Sequence, residues 1–239
     1  LKQHLFETGN SLAPKLMRTA CIFGPNGSGK SSFIDAVSFF RNFIISSAKD
    51  SQEGEPIEVV PFAFSEIFSE RPTEFEAVFI FKERLYQYGF SVSRDRVVDE
   101  WLFSKENRPR TSLKEIFQRN FDEERGEYDW DMPHLKGPKD VWKEATRDNA
   151  LFLSTAIMLR SKPLAEPFEW LSSQLRIVKS TDRLSDNFTV KQVSGGKKNE
   201  VLDILKAADL GISSLNITSM DEDSEPAENI GENLVKFIS

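Results

Sequence analysis

The first helix is predicted by apolar residues that recur at helical spacing early in the chain. These residues are Phe33, Ile34, Val37, Phe40 and Ile44. Such a stripe predicts a helix with one face on a core, and the charged loop 48–56 should follow its end. Just upstream, residues 19–23 form a short, mostly apolar run of strand length. The pattern therefore predicts a strand, a glycine-rich turn and a helix, in that order.

From Thr73 the hydrophobic period changes to two. In the first run, 73–81, one face would carry Phe75, Ala77, Phe79 and Phe81 and the other Glu74, Glu76, Val78 and Ile80, and two further aromatic-rich runs follow at 85–92 and 97–103. Short charged segments at 82–84 and 94–96 separate the runs. Strand-like runs joined by short polar turns predict an antiparallel β-meander with one face on the core.

The second half of the chain has a weaker pattern. Residues 104–145 are charged and irregular, with Leu113 to Phe121 as a short helical candidate. Residues 146–159 are a helix or strand–helix candidate with an apolar centre. A helix at 201–210 and a strand at 212–218 follow. We therefore divide one α/β domain into four parts. A phosphate-loop unit covers 1–47, the meander 56–103, a helical or irregular insertion 104–198, and a helix–strand return to the core 199–239.

Composition narrows the class of protein. The 239 residues are 39% hydrophobic and include 20 Phe, which is enough for a substantial core. Thirty-one basic and 38 acidic residues give a net charge of −7, which argues against a surface that binds polyanions. Cys21 is alone and is expected to be a buried hydrophobe in the strand before the glycine-rich turn. The absence of a long apolar run or signal peptide predicts a cytoplasmic protein without a membrane partner, and we expect N-terminal sequence to precede Leu1.

The turn between the predicted strand and helix matches the phosphate-binding pattern G-x-x-x-x-G-K-[ST] at every fixed position. Glycines at 24, 27 and 29 allow positive φ and close approach to a ligand. The amides of the turn would form an anion nest, Lys30 would bridge the β- and γ-phosphates, and Ser31 would hold Mg²⁺. The predicted ATP cradle comprises Gly24, Asn26, Gly27, Ser28, Gly29, Lys30, Ser31 and Ser32. The alternative is a glycine-rich turn that binds no ligand.

Three other signals have competing interpretations. The acidic pair within 97–100 resembles an Mg²⁺-binding strand end, but the strand continues into Trp101, which favours a strand with its polar face outward. The segment 193–197 resembles an S-G-G signature, but no acidic strand end follows it, which favours a flexible loop. The acidic stretch 122–131 favours a solvated face. Docking of a partner there, through Tyr128 and Trp130, is the alternative.

Several segments together resemble the ABC/SMC-like P-loop ATPases, and within them the bacterial AAA-labelled, OLD-related group. The phosphate loop is the most specific of them. The others are Arg18–Ile22, Phe39–Ile44, Thr73–Glu76, Tyr86–Phe90, Val98–Leu102, Asp148–Ser154 and Lys206–Ile212. The resemblance spans most of residues 15–218. It implies an ABC/SMC-like P-loop fold, with the β-meander beside the nucleotide-binding core.

Members of that group often serve in anti-phage defence beside a nuclease or another toxic effector, and they dimerise with ATP between subunits. The resemblance therefore implies an ATP- and Mg²⁺-dependent sensor or scaffold that acts as a dimer or higher oligomer. The chain departs from the group because no convincing signature, acidic strand or switch histidine is present, so the remainder of the domain is expected to lie elsewhere. The fragment alone should bind ATP and hydrolyse it poorly. A DNA-dependent repair ATPase, and an ATP-stabilised scaffold with little turnover, are the alternatives.

Overall fold

The computed structural model describes residues 5–9, 11, 13–61, 71–108, 110–178, 187–208, 212, 214–219 and 233–238. The chain forms two compact units, Leu1–Ile177 and Val178–Ser239. In the first unit the elements are β1 (Leu5–Glu7), β2 (Lys15–Met17), α1 (Lys30–Ser46), β3 (Thr73–Phe81), β4 (Arg84–Val92), β5 (Val97–Glu106), β6 (Lys114–Asp122), β7 (Glu127–Asp131), α2 (Lys139–Glu144), α3 (Phe152–Met158) and α4 (Ala165–Glu169), which a π-helical turn (Trp170–Gln174) continues.

The largest element is a five-stranded antiparallel sheet in the order β3-β4-β5-β6-β7. Its first three strands confirm the predicted meander. The helical candidate Leu113 to Phe121 is wrong, because those residues form β6, and the predicted helical or irregular insertion is sheet over β6 and β7. A register shift opposite the start of β6, between Leu102 and Phe103, interrupts the alternation there. Charged residues on both faces of β6 further hide its strand period.

Cross-strand register gives the sheet two different faces. One row of aligned residues on the inner face is Phe75, Phe90, Glu100, Arg119 and Trp130. A neighbouring row on the outer face is Glu76, Gly89, Trp101, Gln118 and Asp131. In β7 the side chains of Tyr128 and Trp130 lie on the inner face, and those of Asp129 and Asp131 are exposed. The predicted solvated face at 122–131 is therefore confirmed for the two aspartates and wrong for the two aromatic residues.

Helix α1 lies on the inner face of the sheet. Phe40 stacks on Phe90 with ring centroids 5.5 Å apart, and Phe43 packs on the same ring. The predicted apolar stripe is therefore confirmed in the second half of α1. In the first half, Phe33 and Ile34 are 54% and 40% exposed. The core thus holds the C-terminal end of α1, while its N-terminal end projects beyond the sheet core.

Glu100 corrects the prediction that the polar residues of β5 face outward. Its side chain is fully buried on the inner face and pairs with buried Arg119, whose Nε lies 3.1 Å from Glu100 Oε2. The neighbouring Asp99 lies on the outer face and accepts hydrogen bonds from Ser91 and Asn120. Because Glu100 is in the middle of a strand and engaged in the core, it does not form the strand-end acidic pair of an Mg²⁺ site.

Residues 19–23 are not a strand, which corrects the prediction for the segment before the glycine-rich turn. The segment has no regular secondary structure, and Cys21 is exposed rather than buried. A strand requires neighbours that accept and donate its backbone hydrogen bonds. Among the described residues, no strand pairs with this segment. Residues 19–23 thus have the composition of a strand, but the part of the chain that the structure describes contains no strand that pairs with them.

The second unit contains α5 (Asn187–Gln192), α6 (Lys198–Ala207), β8 (Ser214–Ser219) and β9 (Asn233–Ile238). Strands β8 and β9 pair antiparallel. The helix–strand order predicted from residue 201 onward is confirmed by α6 and β8, although 209–211 lie outside the described residues. The flexible loop predicted at 193–197 is wrong, because the segment is a π-helical turn kinked at Gly196 (φ 88°). No helix in the described part of the chain has the length and apolar character needed to cross a membrane.

Candidate functional site

The glycine-rich turn has the backbone geometry of a loop that wraps closely around a small group. Gly27 and Gly29 have φ of 79° and 84°, which confirms the predicted left-handed conformation at these two positions. Gly24 has no positive φ, so that part of the prediction is wrong. Its lack of a side chain serves close approach instead, since a Cβ there would lie 2.6 Å from Ser28 Oγ and 3.2 Å from Ser28 Cβ. The loop therefore depends on glycine twice for conformation and once for close approach.

Lys30 closes over the turn. Its Nζ lies 2.7 Å from the carbonyl oxygens of both Gly24 and Pro25, and 3.3 Å from Ser28 Oγ. An ammonium group has three N–H donors, and these three acceptors engage all of them. The side chain is thus held at the loop rather than extended into solvent. Because two acceptors are exposed backbone carbonyls, phosphate oxygens can replace them without leaving a buried group unpaired.

The N-terminus of α1 completes the anion-binding geometry. Gly29 is the N-cap residue and contributes no side-chain cap, and the first turn contains no acidic residue. The Phe33 amide makes the first helical hydrogen bond, to the Gly29 carbonyl at 2.9 Å. The amides of Lys30, Ser31 and Ser32 precede that bond and belong to the unsatisfied first turn. A helix of 17 residues directs the positive end of its dipole to the same place.

The structure brings the eight predicted cradle residues together in one turn and the first turn of α1. All of them are exposed except Lys30, which is partly buried, so the turn is accessible from solvent. The Ser31 hydroxyl lies in the first helical turn, where it could hold Mg²⁺ together with phosphate oxygens. Among the described residues, no three His, Cys, Asp or Glu side chains gather as metal ligands. Mg²⁺ is commonly held by one or two protein groups plus substrate phosphates.

Sequence reasoning missed the side chains that fix the other end of α1. Arg147 NH2 donates to the carbonyls of Ser47, Ala48 and Ser51 at 3.2, 3.3 and 2.7 Å. Asn149 Nδ2 donates to the carbonyls of Gln52 and Glu55 at 2.6 and 2.9 Å. No pattern in the sequence links residues a hundred positions apart. These contacts attach the loop after α1 to the segment that leads into α3.

Apolar side chains are exposed around the phosphate loop. Phe23, directly before it, is 89% exposed, and Ile22 is 62% exposed. Phe33 and Ile34, just after it, are also exposed. Large apolar side chains that cluster on a surface mark a place where further protein packs. The segments on both sides of the phosphate loop therefore present apolar side chains to solvent.

Comparison with known proteins identifies the family. A family model described as "AAA domain, putative AbiEii toxin, Type IV TA system" matches residues 20–156, more than half of the chain. Neither the curated proteins nor the solved structures yielded a match. The matched range contains the whole phosphate loop, α1 and the five-stranded sheet. AAA domains are P-loop ATPases with an α/β fold, and they generally use ATP and Mg²⁺. The chain belongs to this AAA family, and it is a nucleotide-binding ATPase domain.

Proposed function

We propose that the chain is part of an ABC/SMC-like ATPase subunit that binds Mg-ATP and acts as a nucleotide-gated sensor or scaffold in bacterial anti-phage defence. Its output would be the control of a nuclease or another toxic effector. Two facts support this role beyond the phosphate loop. The chain resembles the OLD-related group in several segments, and the description of its family names a toxin of a toxin–antitoxin system.

The position of Lys30 carries the nucleotide-binding part of the proposal. Its ammonium lies at the mouth of the loop, 2.7 Å from two carbonyls that phosphate oxygens can replace. The loop amides and the first turn of α1 would neutralise the charge of the phosphates. The Ser31 hydroxyl would hold Mg²⁺, which would neutralise charge on the β- and γ-phosphates. Ser32 and the amides of Asn26 to Ser28 would complete the cradle.

The exposed apolar surface beside the loop supports an assembled state. Residues 19–23 have strand-like composition, and Ile22 and Phe23 lack a cover among the described residues. We propose that in the functional protein further β-strands pair with this segment. We also propose that dimerisation holds ATP between the phosphate loop of one subunit and a signature segment of the other. Each covered apolar side chain would contribute about 1.5–3 kcal/mol.

Nucleotide binding is tested directly with Lys30→Ala. We expect the unaltered protein to bind Mg-ATP in calorimetric titration and the variant to lose at least about tenfold in affinity, because a charge-assisted contact to phosphate is removed. Lys49→Ala is the matched control, since Lys49 is exposed and lies at the far end of α1. Equal affinity in all three proteins, or no binding by the unaltered protein, would refute the proposal.

A scaffold with little turnover is the second candidate, and the position of Glu100 favours it. Hydrolysis needs a group that positions or activates water. Glu100 of β5 cannot provide one, because it is fully buried and paired with Arg119. Comparing ATP affinity with the rate of phosphate release in the same preparation separates the two candidates. Tight binding without release supports the scaffold, whereas steady release in the assembled protein supports the ATPase.

A further inference from the structure

A cavity of about 390 Å³ opens between the C-terminal half of α1 and the loop that follows it. Phe39, Phe43 and Ile57 form its apolar wall. Phe43 and Ile57 are buried, and Phe39 stacks on Phe43 with centroids 5.4 Å apart. The cavity is at the small end of the range for ligand pockets, which suits a single long side chain better than a nucleotide. It lies at the end of α1 opposite the phosphate loop.

The rim of the cavity is acidic. Asp50, Glu55 and Glu58 line it, and no lysine, arginine or histidine among the described residues does so. None of the three carboxylates forms an ion pair with a described cation. Glu55 accepts a hydrogen bond from the Gln52 amide at 2.7 Å, so part of the rim is already ordered. An aromatic wall beside carboxylates that form no direct ion pair with a described cation is the chemistry that recognises an organic cation.

The loop that carries the carboxylates is held in place before any ligand arrives. Arg147 binds three of its carbonyls, and Asn149, only 2% exposed, binds two more. A loop fixed at five carbonyls loses little conformational entropy when a ligand binds. The rim is therefore preorganised rather than formed on binding.

We propose that this cavity is a docking site for an arginine side chain of a partner protein. A guanidinium group is planar, stacks on aromatic rings and forms paired hydrogen bonds with carboxylates. Lysine, a compact and strongly hydrated charge, would use the aromatic wall less well. The rim charge excludes nucleic acid and acidic peptides. The inference does not depend on nucleotide binding, because the cavity shares no residue with the phosphate loop.

The test uses an acetylated and amidated tetrapeptide, Gly-Gly-Arg-Gly, added to the isotopically labelled chain and followed by NMR. The control peptide carries citrulline, which has nearly the same shape as arginine without its charge. We expect shifts concentrated in residues 39–58 with the arginine peptide and at least about tenfold weaker binding with citrulline. Binding should also weaken as salt is raised, because the rim is exposed.

Substitutions on the rim make the test specific. Glu58→Gln and Asp50→Asn should each weaken binding of the arginine peptide several-fold, and Asn42→Trp, which fills the cavity from the exposed side of α1, should abolish it. Glu53→Gln is the matched control, since it removes the same charge from the same loop at a position that does not line the cavity. Lys30→Ala should leave peptide binding unchanged, which separates this site from the nucleotide site.

Three results would overturn the proposal. They are no detectable binding of the arginine peptide, equal binding of the citrulline peptide, and an equal loss in Glu53→Gln and Glu58→Gln. The last result would show attraction by general negative charge rather than by the cavity.

Discussion

At the scale of single residues, the buried pair of Glu100 and Arg119 is the most demanding feature of the core. The Glu100 carboxylate accepts hydrogen bonds from the amides of Phe152 and Leu153, at 2.6 and 2.9 Å, and from the Tyr88 hydroxyl, at 3.0 Å. Burial raises the pKa of the Glu100 carboxyl, and the Arg119 guanidinium and the two amides oppose that rise. With donors on every side, the carboxylate joins the sheet to the start of α3.

Removing the Glu100 charge should be costly. We expect Glu100→Gln to lower the free energy of unfolding by about 3–5 kcal/mol, because the Arg119 charge would remain buried without its partner. Denaturation in urea with linear extrapolation measures this difference. Glu74→Gln is the control, since Glu74 is exposed on β3 and its replacement should change stability by less than about 0.5 kcal/mol. Similar midpoints for the two variants would show that the pair contributes little.

The sequence predicted which residues form the phosphate loop, but it did not predict that Glu100 is buried. Every fixed position of the loop is local, so spacing alone placed Lys30 at the start of a helix. Asp99 and Glu100 are adjacent acids in one strand, and alternation puts them on opposite faces without indicating which face is buried. The face is decided by Arg119, which is distant in sequence and enters through β6, a strand that was mistaken for a helix.

At the scale of elements, the phosphate loop depends on contact between its first residue and Ser28. We expect Gly24→Ala to weaken Mg-ATP binding about tenfold or more, because the new methyl group would collide with the Ser28 side chain and distort the turn. The fold should remain intact, since the loop is exposed. Calorimetric titration with ATP measures the change.

A second substitution checks the cause of that effect. Gly24→Ala combined with Ser28→Gly makes room for the methyl group and should recover most of the affinity. The single variant Ser28→Gly shows what loss of the hydroxyl alone does. If the double variant binds no better than Gly24→Ala, the steric explanation is wrong.

The sheet has its own close approach at Gly89 in β4. A Cβ there would collide with the Trp101 indole and lie 2.7 Å from the Phe75 carbonyl oxygen. The indole also donates to Glu76, so it cannot move freely. We expect Gly89→Ala to destabilise the fold by about 1–3 kcal/mol, measured by urea denaturation. Gly195→Ala, which meets nothing within 4 Å, is the control and should leave the unfolding midpoint nearly unchanged.

Elements with a clean period were predictable, and elements completed by distant partners were not. The meander strands are aromatic-rich runs separated by short polar turns, and α1 has apolar residues at helical spacing along its length. Residues 19–23 have a strand's composition, yet a strand exists only where neighbours pair with it. In β6 a register shift and inward-facing Arg119 break the alternation that defines a strand. Local pattern thus predicted the type of an element only where tertiary contacts agreed with it.

At the scale of the whole molecule, the main core belongs to the first unit. Its buried members run from Phe40 in α1 to Leu171 in the π-helical turn. Arrangement of the chain as a single domain from 1 to 239 remains a prediction, as does its expected dimerisation. The chain forms two compact units that meet after Ile177 in the sequence. A boundary of this kind has no single residue signature, since it reflects where long-range contacts stop.

Charge at this scale distinguishes a defence sensor from a DNA-dependent repair ATPase. The outer face of the sheet carries carboxylates from three strands, and the whole chain has a net charge of −7. Those carboxylates are Glu74, Glu76, Asp99, Asp129 and Asp131. Proteins gain affinity for DNA mainly by neutralising phosphates with basic side chains. This surface would repel the duplex instead.

We therefore expect the chain to bind duplex DNA more weakly than about 100 µM at physiological salt, the weak end of non-specific binding. Fluorescence anisotropy with a labelled duplex at two salt concentrations measures this, with Mg-ATP present and absent. A basic DNA-binding protein in the same buffers serves as the positive control. Micromolar binding by this chain that weakens steeply with salt would contradict the expectation and favour the repair ATPase. Weak DNA binding in all conditions would instead support a protein that acts on protein partners in response to ATP.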